Sequence, residues 1–210
     1  MAYSAGETIA RAAASRTHAP MATTALLAAI PLEERVDGMS CLVTADNSNW
    51  VFSLASTSVD ATSQLVVSPS VGAGAWLRTD KFVDLKFAVS FATADAAVLF
   101  TVPVGFRIRP TRPVWENTTP WTGGASSTVG LSSSNAAYNT KGDLLGGAAG
   151  DATAVMVVAS PGPFVGAIGA KLAALAACVL VAADTLIFNR ITSIYTAGAG
   201  FAHVPVEILP

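Results

Sequence analysis

The chain carries two histidines, His18 and His203, and an imidazole is the usual general base near neutral pH. Used for hydrolysis, it needs a nucleophile to deprotonate and a carboxylate to orient it. His18 stands beside Pro20 in an N-terminal lead, and His203 is expected on the outward face of the last strand. No G-x-S-x-G elbow accompanies either of them. The carboxylates are equally scattered. Glu33 and Glu34 are adjacent at the entry to a domain, Glu116 and Glu207 are single acids on expected strands, and Asp143 and Asp151 flank a glycine-rich stretch. None has a spacing that demands acid/base work. Asp46-Asn47-Ser48-Asn49 sets oxygen ligands in a row but lacks the bidentate glutamate of a calcium loop, so we read a turn. Cys41 and Cys178 lie far apart without metal-ligand spacing and are expected as buried free thiols. The glycine pairs at 72/74, 166/169 and 198/200 do not follow a strand and open a helix, as a dinucleotide site requires. Asn117-Thr118-Thr119 matches a glycosylation acceptor, a pattern common by chance. The sequence is therefore read as non-enzymatic, with no catalytic residue, no metal and no cofactor.

Aromatic side chains offer a different chemistry, because an exposed indole face binds a sugar ring. Of the four tryptophans, Trp50 and Trp76 are expected to pack a small domain. Trp115 and Trp121 lie in a Pro/Thr-rich stretch, 113–122, and are the candidates for glycan or subunit contact.

The elements that must position these residues are mostly short strands. Thr23 or Thr24 caps a short helix over 25–29, stopped by Pro31. Between 33 and 79, strands at 40–44, 50–54, 65–67 and 76–78 alternate with turns, which we read as a hairpin meander. Val83, Leu85, Phe87, Val89 and Phe91 alternate with Asp84, Lys86, Ala88 and Ser90, the period of a half-buried strand. Further strands are expected at 98–102, 106–109, 114–116, 127–131, 155–158, 179–181, 185–189 and 191–195. A short helix is expected at 7–15 and helical turns at 166–176. Thr196-Ala197-Gly198-Ala199-Gly200 reads as a turn before a last alternating strand, 202–208. Pro205 has no N–H, so that strand should lie at an edge or direct the proline away from a partner. The fold class is mainly β: an N-terminal arm with short helices (1–32), a small β-hairpin module (33–80) and an antiparallel β-sandwich (81–210), preferably of jelly-roll type.

Composition constrains the partners. Charged residues make up 12% of the chain against 52% apolar, and the net charge is −2. Typical soluble domains carry about twice that charge. No basic cluster neutralises a row of phosphates, so nucleic acid is not an expected partner. Between 118 and 183 the only charges are Lys141, Asp143, Asp151 and Lys171. Interface cores are depleted in charge, so a chain this poor in ions is expected to press against copies of itself or a neighbour. The apolar run 21–30 lies behind a long polar lead, unlike a signal peptide. The run 164–183 has Lys171 near its middle, and we read it as buried structure rather than a membrane span.

Two stretches carry a resemblance. Residues 25–78 contain LLAAIP, ERVDGMSCLV, WVFSLAST and VGAGAWLR in that order. This resembles a small module of tailed-bacteriophage virion proteins that precedes a fibre, spike or head-surface domain. Residues 92–209, with VPVGFRIRPTRPVWENTTPWTGG and a closing YTAGAGFAHVPVEIL, are similar to compact phage structural domains. The resemblance implies a capsid decoration or head-fibre protein on the virion surface, made in the host cytoplasm. It implies a homotrimer anchored by its N-terminal part to the major capsid protein or another virion protein, with no membrane partner. The alternative is a tail-fibre, tail-spike or baseplate adhesin binding host glycans, with Trp115 and Trp121 lining its groove.

Overall fold

The computed structural model describes residues 17–122, 128–145, 162–164, 178–191 and 195–210. The helix expected at 7–15, the strand at 155–158, the helical turns at 166–176 and most of the strand at 191–195 lie outside the described residues. The chain divides into two compact units. The first runs to Asp80 and includes Pro103–Gly105, and the second comprises Lys81–Val102 and Phe106–Pro210. The architecture is mainly β, with antiparallel sheets.

The first unit is built on β1 (Ser40–Val43), β2 (Ser48–Ser53), β3 (Val66–Val67) and β4 (Ala75–Arg78). Asp46 and Asn47 make the β1–β2 turn: Asn47 takes a φ of 53°, and Asp46 Oδ1 accepts from Ser48 Oγ at 2.6 Å. Asparagine tolerates that left-handed backbone better than most residues. The strand order is β1-β2-β4-β3, not that of a meander, because β4 pairs with β2 and leaves β3 outside. The intervening loop is held by Asp60, whose carboxylate accepts the N–H groups of Thr62, Gln64 and Leu65 at 2.8–2.9 Å. That local cage lets the chain skip a strand position. Gly74 is obligatory: its φ is +94°, and a Cβ there would stand 2.6 Å from the Phe52 ring.

Part of the expected arm is not an arm. Thr17 and Met21 bridge in parallel to Ser40 and Val43 along the edge of β1, with Met21 N–H donating to Leu42 O at 2.8 Å. The helix α1 (Thr24–Ala28) follows, with Thr23 Oγ1 accepting from Leu26 N–H as its cap. Leu27 and Ile30 then bury in one cluster with Met39, Cys41, Trp50, Phe52 and Trp76. Burial of each such side chain contributes about 1.5–3 kcal/mol, enough to recruit this segment into the module.

The second unit is a two-layer β-sandwich. One layer has six strands among the described residues: β5 (Phe82–Ser90), β7 (Arg107–Pro110), β8 (Val114–Thr122), β10 (Gly162–Phe164), β11 (Leu180–Val181) and β13 (Ala197–Leu209). The other has β6 (Val98–Thr101), β9 (Thr128–Ser133) and β12 (Thr185–Ile191), in the order β6-β12-β9. The layers meet through Phe87 against Phe100, ring centroids 6.0 Å apart, and Trp115 edge-on to Phe188, also at 6.0 Å.

The thirteen-residue β13 organises the larger sheet. It pairs with β5 along one side. On its other side β8 borders its first half and β7 its second. The expected turn at 196–200 is therefore strand instead. Gly198 and Gly200 permit this, because a Cβ at Gly198 would lie 2.5 Å from the Trp121 ring and one at Gly200 2.1 Å from Glu116 O. What reads as a turn signal marks a close approach of two backbones. β13 is also central rather than an edge, yet Pro205 fits. Phe91 N–H donates to Gly198 O, and Ile208 N–H to Lys81 O, so even-numbered residues of β13 bond to β5 and odd-numbered ones face β8 and β7. The missing N–H of Pro205 thus falls between the end of β7 and the start of β8, where its carbonyl accepts from Thr111 N–H at 2.8 Å.

Candidate functional site

Among the described residues, a dense set of interacting ionisable groups lies on the outward face of the larger sheet. Its alternation fixes the arrangement: Val83, Leu85, Phe87 and Val89 are buried, so Asp84 and Lys86 must project outward from β5. On β13, Ala202 and Val204 are buried, which turns His203 outward to stand beside Lys86 in the register. On β8, Trp115 and Asn117 are buried, and Glu116 faces out beside Phe201.

These side chains form a continuous clamp across three strands. His203 Nδ1 lies 2.6 Å from Asp84 Oδ2, and its Nε2 lies 2.8 Å from Glu116 Oε2. Lys86 Nζ donates to the same Glu116 oxygen at 3.1 Å and covers the Phe201 ring at 4.0 Å. A carboxylate on each ring nitrogen is satisfied only by the imidazolium, which donates from both. Partial burial pulls the His203 pKa down, but the hydrogen bonds to Asp84 and Glu116 outweigh it and raise the pKa above its ordinary value. The hydrogen bonds from His203 and then Lys86 hold Glu116 below the usual carboxylate range. With both nitrogens engaged, the imidazole has no lone pair aimed at a substrate, and its geometry is that of a cross-strand clamp. Beyond it, Glu207 pairs with Lys81 at 3.3 Å and Arg109 at 3.1 Å, continuing the alternation of charge over the same face.

The sequence places His203 outward but does not say which carboxylates stand beside it. Asp84 and Glu116 are 119 and 87 residues away in the chain, and only the register of β13 with β5 and β8 brings them together. The outward alternation of Asp84 and Lys86 was the one available signal.

The tryptophan candidates take another place. Trp115 is 1% exposed and Trp121 4% exposed. Trp115 packs edge-on to Phe188. Trp121 packs edge-on to Tyr195 at 5.1 Å and donates its indole N–H to Asn117 Oδ1 at 3.0 Å. Neither ring presents a face for a sugar or a neighbouring subunit; the alternation of β8 and the Gly198 gap draw both inward. Asn117 is buried too, so its amide is closed to a glycosyl transferase in the folded chain. Trp50 and Trp76 are fully buried in the first unit.

The other polar candidates are engaged locally. His18 Nε2 lies 3.5 Å from Glu34. Asp46 pairs with Arg78 at 3.2 Å. Cys41 and Cys178 are buried and free, and burial pushes the Cys178 thiol up to about 11, with the charge of Asp184 adding to it. No three His, Cys, Asp or Glu side chains among the described residues are grouped to hold a metal ion. No helix among them is long and apolar enough to cross a membrane. A groove of about 320 Å³ lies in the first unit between Leu54–Val59 and Ser68–Gly74, lined by hydroxyls and small apolar groups without an ionisable side chain.

Compared with known protein families, curated proteins and solved structures, the chain matches none of them.

Proposed function

We propose that this chain is a non-enzymatic structural protein of a tailed-bacteriophage particle, a capsid decoration or head-fibre protein that works by contact with its own copies and with the shell. One observation carries the reading. A chain with 12% charged residues leaves Val59 at 69%, Val71 at 66% and Phe82 at 64% exposure. Leu26, Leu32, Leu54 and Val98 are similarly exposed. Single exposed apolar groups are ordinary; so many on a surface this poor in ions favour a protein that functions covered. The resemblance of residues 25–78 and 92–209 to phage modules supplies the particle, the homotrimer and the major capsid protein as proposed partners.

In this reading the first unit docks on the shell and the sandwich projects from it. The clamp at His203 locks three strands of the sandwich rather than processing a substrate. The adhesin alternative loses its proposed platform, since Trp115 and Trp121 are inside the sandwich.

Fractionation of particles into DNA-filled heads and tails, followed by detection of this chain, is the test. Recovery with heads supports the proposal. Recovery with tails transfers the chain to the adhesin reading, and its absence from both fractions overturns a role in the particle.

A further inference from the structure

β5 runs nine residues and pairs, among the described residues, with β13 alone. Its odd-numbered residues exchange hydrogen bonds with β13, as the Phe91–Gly198 and Lys81–Ile208 bonds fix. Phe82, Asp84, Lys86 and Ala88 therefore direct their backbone N–H and C=O groups to the opposite side, along the outer edge of the sheet. A long strand edge is a template for another strand, and proteins that must avoid such pairing break the edge with proline, a bulge or a covering element. Here the register with β13 runs without a shift from Phe82 to Ser90, and β5 contains no proline.

We propose that β5 pairs antiparallel with β5 of a second copy of this chain, about a two-fold axis at Leu85, with Asp84 of each copy opposite the partner's Lys86. Charge selects this register. Two-fold pairing centred on Leu85 sets 84 against 86 and 82 against 88, all residues whose backbone groups point outward, so every facing pair can exchange both hydrogen bonds. A slide that centres the axis on Asp84 opposes two carboxylates, and one that centres it on Lys86 opposes two ammonium groups. Opposite charges across a strand pair stabilise it and like charges oppose it. A one-residue slip would turn the buried residues of one copy toward solvent.

Asp84 and Lys86 already contact His203 and Glu116, yet their side chains remain 50% and 46% exposed, within reach of the partner's edge. The same register sets the exposed Phe82 against the partner's Ala88, covering part of the ring. Leu85 meets Leu85 at the axis, and Val83 meets the partner's Phe87, so the apolar faces continue across the junction. The contact is isologous and closes as a pair. It goes beyond the proposed role on a particle and does not depend on it; combined with a trimer, it would link trimers two by two.

Cysteine cross-linking tests it on the full chain. Phe82 and Ala88 are exposed, lie outside the clamp and face each other only across the axis; the native thiols are buried. A hydrogen-bonded antiparallel pair has a Cα separation of about 5.5 Å, within disulfide range. Mild oxidation of a mixture of Phe82→Cys and Ala88→Cys chains should give a disulfide-linked dimer. Either variant alone should give little, because like positions stand about 20 Å apart along the strands. A mixture that fails to cross-link, or single variants that cross-link as well as the mixture, overturns the pairing. Native mass gives an independent reading. Asp84→Lys and Lys86→Asp should each lose the even-numbered assembly of the wild type and regain it when mixed, because each supplies the charge the other lacks. If either charge variant fails to fold, the cysteine pair still decides. A missing cross-link removes this contact and leaves the particle assignment standing, whereas absence from heads and tails does the reverse.

Discussion

His203 is the residue whose ionisation the fold uses. Its raised pKa means that the folded state binds the proton more tightly than the unfolded chain does. That stabilisation is complete below the ordinary histidine value of about 6.5 and is lost as pH rises through the higher folded value. Glu116 works in the opposite sense: its depressed pKa stabilises fully above the ordinary value of about 4.3 and is lost as pH falls through the folded value. The clamp is therefore strongest from about pH 4.3 to 6.5. The difference in Tm between the wild type and His203→Gln, followed by calorimetry, is expected to be largest in that window and to shrink as pH rises beyond it, through the raised folded value. A difference that stayed flat with pH would mean that the imidazole is not charged in the fold. Gly200 makes the other sharp residue-scale prediction. A methyl group there meets Glu116 O at 2.1 Å, so Gly200→Ala should cost on the order of 3 kcal/mol in denaturant unfolding. Gly105, with nothing within 4 Å of an added Cβ, pays only for its positive φ and should lose far less.

Among the elements, α1 and the segment before it depart furthest from the expected arm. Helix formers and a proline stop read equally well as a free tether or as a packed turn. Leu27 decides between them, being fully buried in the first-unit core. Leu27→Ala should destabilise that unit by about 2–5 kcal/mol, whereas in a solvated arm the same change would be nearly silent. Chemical denaturation read through Trp50 and Trp76 fluorescence distinguishes the two. The strand elements were the most legible. Alternation over Val83–Val89 located β5 and its buried face, although Phe91 lies beyond the strand and is exposed. Asp46 and Asn47 located the β1–β2 turn, whereas Ser48 and Asn49, also read as turn, begin β2. Alternation at 202–208 located the outer half of β13 but not its start, because two glycines at 198 and 200 look the same in a turn as at a crowded strand crossing.

Over the whole molecule, all four tryptophans are buried, 0–4% exposed. The intact protein should therefore show blue-shifted emission and weak quenching by acrylamide, and host glycans should leave both unchanged. A red-shifted, readily quenched population would place an indole on the surface and restore the glycan groove. The scarcity of charge also makes a prediction at this scale. Contacts made by exposed apolar groups should persist as salt is raised, since screening weakens ion pairs, such as those proposed across the β5 edge, and leaves apolar contact intact. Sedimentation across a salt series measures this.

The amino-acid sequence by itself determined the class of fold, the two-residue period of the long strands, the turn at Asp46-Asn47 and the poverty of charge. These are local properties, written in neighbouring residues and in composition. Tertiary structure decided what depends on distant partners. It brought His203 between two acids, placed β13 at the centre of its sheet, put Trp115 and Trp121 inside and drew residues 17–30 into the first core. The physical reason is common to all four. Alternation states which side of a strand a residue takes but not which strand lies beside it, and a clamp, a central strand or a buried ring exists only once strand register is chosen.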